Sequence, residues 1–282
     1  MRGLLQHAVF RNPSVLIGGT LLLILLAIAV AAPLLSDVDP RQIAPRLRLQ
    51  PPSEEFLMGT DMYGRDVWTR ILYGSRISLI VGASVAVLSL TFGMFIGLLA
   101  GYFRWLDGPI MRAMDGLMAI PGVLLAIALV SLSGASLLTV IVAITIPAIP
   151  SVARVVRGVV LSVREEPFVE AAMGLGTPPI KILLRHITPN TFAPLIVQGT
   201  YICAAAVLGE AVLSFLGVGL PAEIPTWGNI IADGRAVFVR APWTIFFPGI
   251  FLGASILAIN ILGDGLRDSL DPRMKKQVSD RP

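Results

Sequence analysis

The sequence predicts an all-α polytopic membrane protein with six transmembrane helices. Three observations carry that reading. Mean hydropathy is +0.80. Only 14% of the 282 residues are charged, against about 25% in soluble domains. Several charge-free runs reach the roughly 20 residues that cross a bilayer as a helix.

The first run is Val15–Leu35. A cleaved secretory signal is its rival, because Arg2 and Arg11 precede it and "AIAVAA" from Ala27 contains small-residue cleavage patterns. The run is longer than an ordinary signal core and continues through Pro33, which favours a retained span over 15–35. The segment 36–76 follows as the longest loop. Its first part, "DVDPRQIAPRLRLQPPS", is rich in proline and charge and reads as extended. In "GTDMYGRDVWTRILYGSRISL", turns fall at Gly59–Gly64, and Val67, Ile71 and Leu72 then recur at helical spacing. The spacing predicts a short helix lying at the membrane surface.

The second span, 77–101, carries Gly93, Gly97 and Gly101, a small-residue face that lets helix backbones approach. Gly116–Ala153 is charge-free and long enough for two spans, divided at "SLSGAS" from Ser131. These give spans over 113–132 and 137–159. The fifth, 191–216, holds one charge, Glu210, and the only cysteine, Cys203, read as a packing residue. The sixth, 243–263, repeats the glycine spacing at Gly249 and Gly253. Pro121, Pro147, Pro150 and Pro248 fall in or near span interiors, where proline kinks helices.

Six spans put both ends on one side. Fourteen of the 22 Lys and Arg then fall on the terminal side and eight on the other, so the termini are expected in the cytoplasm. The resulting division is a cytoplasmic segment 1–14, the span 15–35, an extracytoplasmic loop 36–76, a five-helix core 77–264 and a cytoplasmic tail 265–282. The core includes a cytoplasmic loop at 162–189. The pI of about 9.6 reflects basic residues between spans, which membrane topology requires, so nucleic acid is not an expected partner; the lipid bilayer is. His7 and His186 are too far apart to suggest a metal site. No nucleophile–base arrangement or cofactor motif emerges, so the chain is read as a non-enzyme without cofactor or metal.

The loop contains "REEPFVEAAMGLGTPPIKILLRHITPN" from Arg164. Pro167 suits a first helical position, Glu165, Glu166 and Glu170 favour the positive end of the helix dipole, and Gly174 or Gly176 can end the helix in a left-handed cap. The product is a helix of about two turns, far shorter than a span. Thr177 and Pro178 then read as the cap and first residue of a second helix, which Pro189 and Asn190 break before the fifth span. Ala171 and Ala172 leave little bulk beside Glu170, so a partner can approach and meet one carboxylate. A solvated re-entry loop is the plainer alternative.

"EAAMGLG", followed by Ile187 and Pro189, resembles the EAA loop of ABC importer permeases; Thr188 stands where that motif usually has leucine. "GTDMYGRDVWTRILYGSRISL" from Gly59, "LGEAVLSFLGVGLPAEIPTWGNII" from Leu208 and "NILGDGLRDSLDPRMK" from Asn260 resemble signatures of the dipeptide/oligopeptide/nickel permease family. The likeness runs from about Asn12 to Lys275 and is similar to the DppC/OppC-like C-type transmembrane subunit. It implies a type I importer-like permease of the bacterial inner membrane. Its implied partners are a second homologous permease, two cytoplasmic ATPases and an extracytoplasmic solute-binding protein. It also implies that the short helix couples to an ATPase through Glu170, Ala171, Ala172 and Gly176. The expected cargo is a di- or oligopeptide or a related small solute. One sequence feature agrees independently: the only lysines, Lys181, Lys275 and Lys276, lie in no phosphate-binding G-x-x-x-x-G-K motif.

Two other functions compete. An ion-coupled secondary transporter would use an intramembrane acid as a relay, and Glu210 is the only ionisable group well inside a span. A structural or gating role suits Glu210 better than substrate contact. A non-transporting scaffold would need no ATPase. Trp227, Asn229 and Asp233 are candidates for closing an outer gate or meeting the binding protein; "PTWG" reads more simply as an interfacial aromatic anchor with a turn.

Overall fold

The computed structural model describes residues 12–270, and within them the chain is built from helices joined by short turns and one long folded loop. Arg2, Arg11, His7, Lys275 and Lys276 lie outside the described residues, as do most of the segments 1–14 and 265–282. Five described helices are long and apolar enough to cross a membrane, and a sharply bent pair makes the count up to six.

Helix α1 spans Pro13–Leu35. Asn12 starts it by accepting from the Ser14 amide at 2.9 Å, and Pro13 follows at a position where a missing N–H costs nothing. The Asn12 amide also donates to the Gly265 carbonyl at 3.2 Å, tying the start of α1 to the end of the last helix. Gly18 deepens that contact: a Cβ there would stand 2.5 Å from the Leu262 amide nitrogen.

Residues 36–66 form a knotted-down loop rather than a free connector. The Thr60 amide donates to the Gln50 carbonyl at 3.0 Å, and the Thr60 hydroxyl accepts from the Gln50 amide at 2.8 Å. Asp61 Oδ1 gathers the amides of Tyr63 and Arg65 at 2.8 and 2.9 Å. Gly64, at φ +78°, lies against the Ala44 carbonyl, a conformation and an approach that both exclude a side chain.

Helix α2 runs unbroken over Val67–Tyr102, 36 residues, or about 54 Å. It overshoots the ~30 Å hydrocarbon core. The surface helix expected within 59–76 is therefore not a separate element. Residues 67–76 are the first turns of α2, and Val67, Ile71 and Leu72 are fully buried. The apolar period at 67–72 continues into the span with no breaker, so the helix continues too.

The third expected span also needs correction. Residues 113–132 are divided between α3 (Arg104–Met118) and α4 (Gly122–Ser133), which meet at 84°. Pro121 occupies the break as the residue before α4, where it cannot continue the hydrogen bonding of α3. Charge fixes the bent piece: Arg157 grips Asp107 through two bonds of 2.5 and 2.6 Å, and Arg154 meets Asp115 at 2.7 Å. A turn follows at 134–136, with Gly134 at φ +84° and Ser136 capping the next helix.

Helix α5, Leu137–Arg164, packs along α2. The α2 glycines make this close: Cβ atoms at Gly93, Gly97 and Gly101 would stand 2.4–2.7 Å from Val152, Ala153 or Val160. Gly249 and Gly253 do not repeat the device, because nothing lies within 4 Å of a Cβ at either among the described residues.

Helix α6 (Pro167–Gly174) is followed by a single turn, α7 (Pro179–Ile182), a π-turn at Leu183–Ile187 and α8 (Thr188–Phe215). Pro189 and Asn190 do not break the chain before the fifth span, contrary to expectation. The wide π-turn absorbs the proline: Thr188 returns both its amide and its hydroxyl (2.9 Å) to the Leu183 carbonyl, and the Asn190 side chain donates to His186 at 2.6 Å. Helix α9 (Trp227–Gly234) lies across the bundle end that holds residues 36–66, and α10 (Trp243–Leu270) is the last described element.

One buried cluster joins α2, α5, α7 and α8 around Val85, Val156, Ile187 and Ile202; another joins α2, α8 and α9 around Ile71, Val207 and Trp227. Trp227 is fully buried, so it is a core residue and not an interfacial anchor.

The glycine face gives a prediction. Gly97→Val forces atoms into the Ala153 carbonyl and should lower stability by about 1–3 kcal/mol. Gly253→Ala meets nothing and should stay within about 0.5 kcal/mol of the original. Thermal unfolding of the purified protein would test the pair; equal midpoints would show that α2 and α5 do not pack as described.

Candidate functional site

The sequence-derived site residues divide between the two ends of the bundle. Glu170, Ala171, Ala172 and Gly176 cluster at one end; Glu210 lies toward the other, beneath α9.

At the first end, α6 begins with Glu166 in an extended conformation and Pro167 in the first turn. Its seat on the bundle comes from two residues one turn apart. Val169 is fully buried and Ala172 nearly so, both in the cluster with Val160, Ile182 and Ile187. The opposite face is open: Glu170 and Ala171 are exposed, with Phe168, Met173 and Leu175 around them. The two alanines thus divide. Ala171 is part of the open face, whereas Ala172 points inward and lets the helix lie close to the core.

The end of α6 is closed by its own backbone. The Gly176 amide donates to Met173 at 2.9 Å and the Thr177 amide to Ala172 at 3.1 Å. Gly176 sits at φ +72°, which makes the turn possible. Thr177 therefore finishes α6 instead of capping α7; Pro178 holds that position and Pro179 is the first residue of α7. Beside the open face is a cleft of about 550 Å³ walled by Arg104, Arg164, Glu165, Glu170 and Met173. It gives the exposed apolar side chains a rim of both charges.

At the other end, Glu210 is fully buried in α8. Its Oε1 accepts from the Ser214 hydroxyl at 2.8 Å and the Thr226 hydroxyl at 2.9 Å, and Oε2 from the Ser78 hydroxyl at 3.5 Å. Each outside partner has a second duty. The Thr226 hydroxyl accepts from the Asn229 amide at 3.0 Å and so caps α9, while the Ser78 hydroxyl accepts from the Trp227 amide at 3.3 Å. One carboxylate thereby joins α2, α8 and the start of α9. The Asn229 side-chain amide lies 3.0–3.2 Å from the carbonyls of Leu220, Pro221 and Ile224, folding the turn before α9.

Asp233 belongs to a buried charge group that sequence reasoning did not assemble. Arg65 reaches Asp61 at 2.5 Å and Asp233 at 2.6 Å. Arg70, wholly buried, stands farther off, 3.9 Å from Asp61 and 3.5 Å from Asp233, and its Nε and Nη1 have no hydrogen-bond partner. The available signal was the i, i+4 spacing of Asp61 and Arg65 just before an apolar helical stretch. Nothing in the sequence pointed to Asp233 as the partner of Arg65, from which it lies 168 residues away.

The family described as the inner membrane component of binding-protein-dependent transport systems matches residues 73–276, and the N-terminal transmembrane domain of oligopeptide transport permease C matches residues 7–52. A Sinorhizobium fredii protein described as a probable peptide ABC transporter permease is 54% identical, over 95% of this chain and 91% of its own length. The dipeptide transport system permease DppC of Alkalihalophilus pseudofirmus is 44% identical, over 94% and 88%. The glutathione transport system permease GsiD of Pectobacterium atrosepticum is 40% identical, over 91% and 86%. A solved structure of the MetNI methionine ABC transporter, facing inward, shares the fold with a TM-score of 0.61 at 18% identity, covering 78% of this chain and all of that one.

The charge group ranks its two arginines. Arg65→Met strips both carboxylates of their short bonds and should cost about 3–5 kcal/mol. Arg70→Met removes only long contacts and should cost roughly 1 kcal/mol. Unfolding midpoints of the two variants would check the order, and a larger loss for Arg70→Met would contradict it.

Proposed function

This chain belongs to the family of binding-protein-dependent transport system inner membrane components, as a permease subunit of an ABC importer, and from that premise we propose that it carries di- or oligopeptides or related small solutes. It is a multi-pass membrane subunit and not an enzyme. Its relatives named for peptides, dipeptides and glutathione support the solute class. We assign α6 to the cytoplasmic face and residues 36–66 and α9 to the outer face. The excess of Lys and Arg on the α6 side supports this orientation.

The observation that carries the mechanism is the way α6 is mounted. Val169 and Ala172 lock it into the bundle core, while Glu170, Ala171 and the apolar side chains beside them face out. A short helix held so firmly moves as a body with α5 and α7. In the proposed assembly, one of two ATPases binds the open face, a second permease completes the pathway, and a binding protein delivers solute outside. Glu170 accepts hydrogen bonds from the ATPase, Ala171 lets it approach, and Ala172 and Gly176 set the height and end of α6. Glu210 acts at the outer end as a gating anchor, since its hydroxyl partners hold α9 against α2 and α8. An ion-coupled carrier using Glu210 as a relay is less well supported, because this buried carboxylate already accepts from three hydroxyls.

Glu170→Lys and Gly176→Val should each lower ATP-driven uptake in proteoliposomes about 5- to 10-fold, the low end of typical coupling energies, with membrane insertion unchanged. Gly176→Asn, which tolerates positive φ, should keep most of the uptake. Full uptake and full ATPase stimulation in Glu170→Lys would remove α6 from the coupling route.

A further inference from the structure

On α2, Tyr73, Arg76, Ile77 and Ile80 recur at three- and four-residue spacing and so share one face. Two other segments stand against that face: Asp37–Arg41, just after α1, and Ile224–Pro225, just before Thr226. Together they wall a cleft of about 590 Å³, a size within the roughly 300–1,000 Å³ of small-molecule sites. Its lining is mixed in a specific way. Asp37 and Asp39 contribute carboxylates, Arg41 and Arg76 guanidinium groups, Tyr73 a phenol, and the rest is apolar.

Those four charges form no ion pair with any described residue. The next charge group on the same end behaves otherwise: Asp61, Arg65, Arg70 and Asp233 all lie within ion-pair distance of one another's opposites. Asp39 has one oxygen engaged, by the Arg41 amide at 2.8 Å. Acidic and basic groups that line one cleft without pairing with each other suit a ligand that carries both signs itself. All four charged residues are exposed and so within a ligand's reach.

We propose that this cleft receives a small zwitterion, with its ammonium group against Asp37 and Asp39 and its acid group against Arg76 and Arg41. This rests on the peptide reading above, under which the zwitterion is a short peptide with both termini free. The permease then holds its cargo at the outer mouth by the two termini, and Tyr73 and the apolar lining accommodate varied side chains. A zwitterionic lipid headgroup offers related charges, an ammonium and a phosphate, and the test separates the two.

The experiment uses this chain assembled with its partner permease and ATPases, without the binding protein, in phosphatidylglycerol nanodiscs. Equilibrium binding of radiolabelled dialanine is expected to be saturable. Free dialanine should displace it at least tenfold better than N-acetyl-dialanine or dialanine amide. Arg76→Gln should lose the preference against the amide, and the double variant Asp37→Asn, Asp39→Asn the preference against the acetylated form. Arg46→Gln, outside the cleft, should change neither. These are ratios, so they do not depend on the amount of folded protein. If a variant fails to assemble, the wild-type series with blocked peptides still decides. Equal affinity for free and blocked peptides, or no binding, overturns the proposal. So does binding that phosphatidylethanolamine abolishes, since the cleft then holds a headgroup. ATP-driven, binding-protein-dependent dipeptide uptake by the wild type is measured alongside. Uptake without cleft binding rejects the cleft alone, whereas no uptake of any peptide rejects the peptide reading itself.

Discussion

Glu210 is the constraint on which one end of the molecule depends. A carboxylate within a span costs about 2.5–3.5 kcal/mol on insertion scales, and leaving it without partners in the bundle would add to that cost. Here the acid accepts from Ser78, Ser214 and Thr226. Because Thr226 also caps α9 and Ser78 also accepts from the Trp227 amide, satisfying the acid fixes the placement of α9. Trp227 then fills the space between α2 and α8, and Asn229 folds the preceding turn. The polar contacts and the packing specify the same arrangement, which is the condition for a single well-defined structure.

The opposite end is organised by apolar contact instead. Nothing charged holds α6 in place among its described contacts; Val169 and Ala172 do so by burial. This leaves the helix's polar and larger apolar groups free on the other side. Small size at position 172 serves close approach to the protein's own core, and small size at 171 serves approach from outside. A motif that looks uniform in sequence thus contains two different packing demands.

Apolar runs made the long helices legible, because burial in lipid leaves no alternative to the helix. What they could not disclose was the shape of the third span. The charge-free run beginning at Gly116 continues through Ala119–Gly122, yet the path turns by 84° there, at Pro121. The reverse error occurred at Pro189, where a proline suggested a break and a π-turn absorbed it. At Pro189 the path stays helical through a π-turn, with the Thr188 amide and hydroxyl both on the Leu183 carbonyl and the Asn190 side chain on that of His186. The short helix at 167–174 was legible from its proline and glycine punctuation. Glu210 was legible as an anomaly, but its three hydroxyl partners were not. Ser78 lies 132 residues away, on another helix. The quartet around Arg65 was hidden for the same reason: only folding brings residue 233 to residues 61–70.

The two ends are not independent, because one continuous rod joins them. From Pro179 the helical path runs through the π-turn into α8 and on to Phe215, 37 residues in all. The stretch from Pro179 to Glu210 is about 47 Å at helical rise. Its lower end follows α6 after four residues, and its upper end carries the carboxylate that positions α9. A displacement applied at α6 therefore has a stiff route to the Glu210 hydroxyl cluster, through packed contacts with α2 and α5 along the way. The place where that rod can give is the π-turn at Leu183–Ile187, where the hydrogen bonding is already widened. Under the proposed orientation, this makes α8 the element that relates the cytoplasmic face to the outer one. Under the proposed gating role, Glu210 stands near the far end of that helix, where its bonds to Thr226 and Ser78 tie it to α9 and α2.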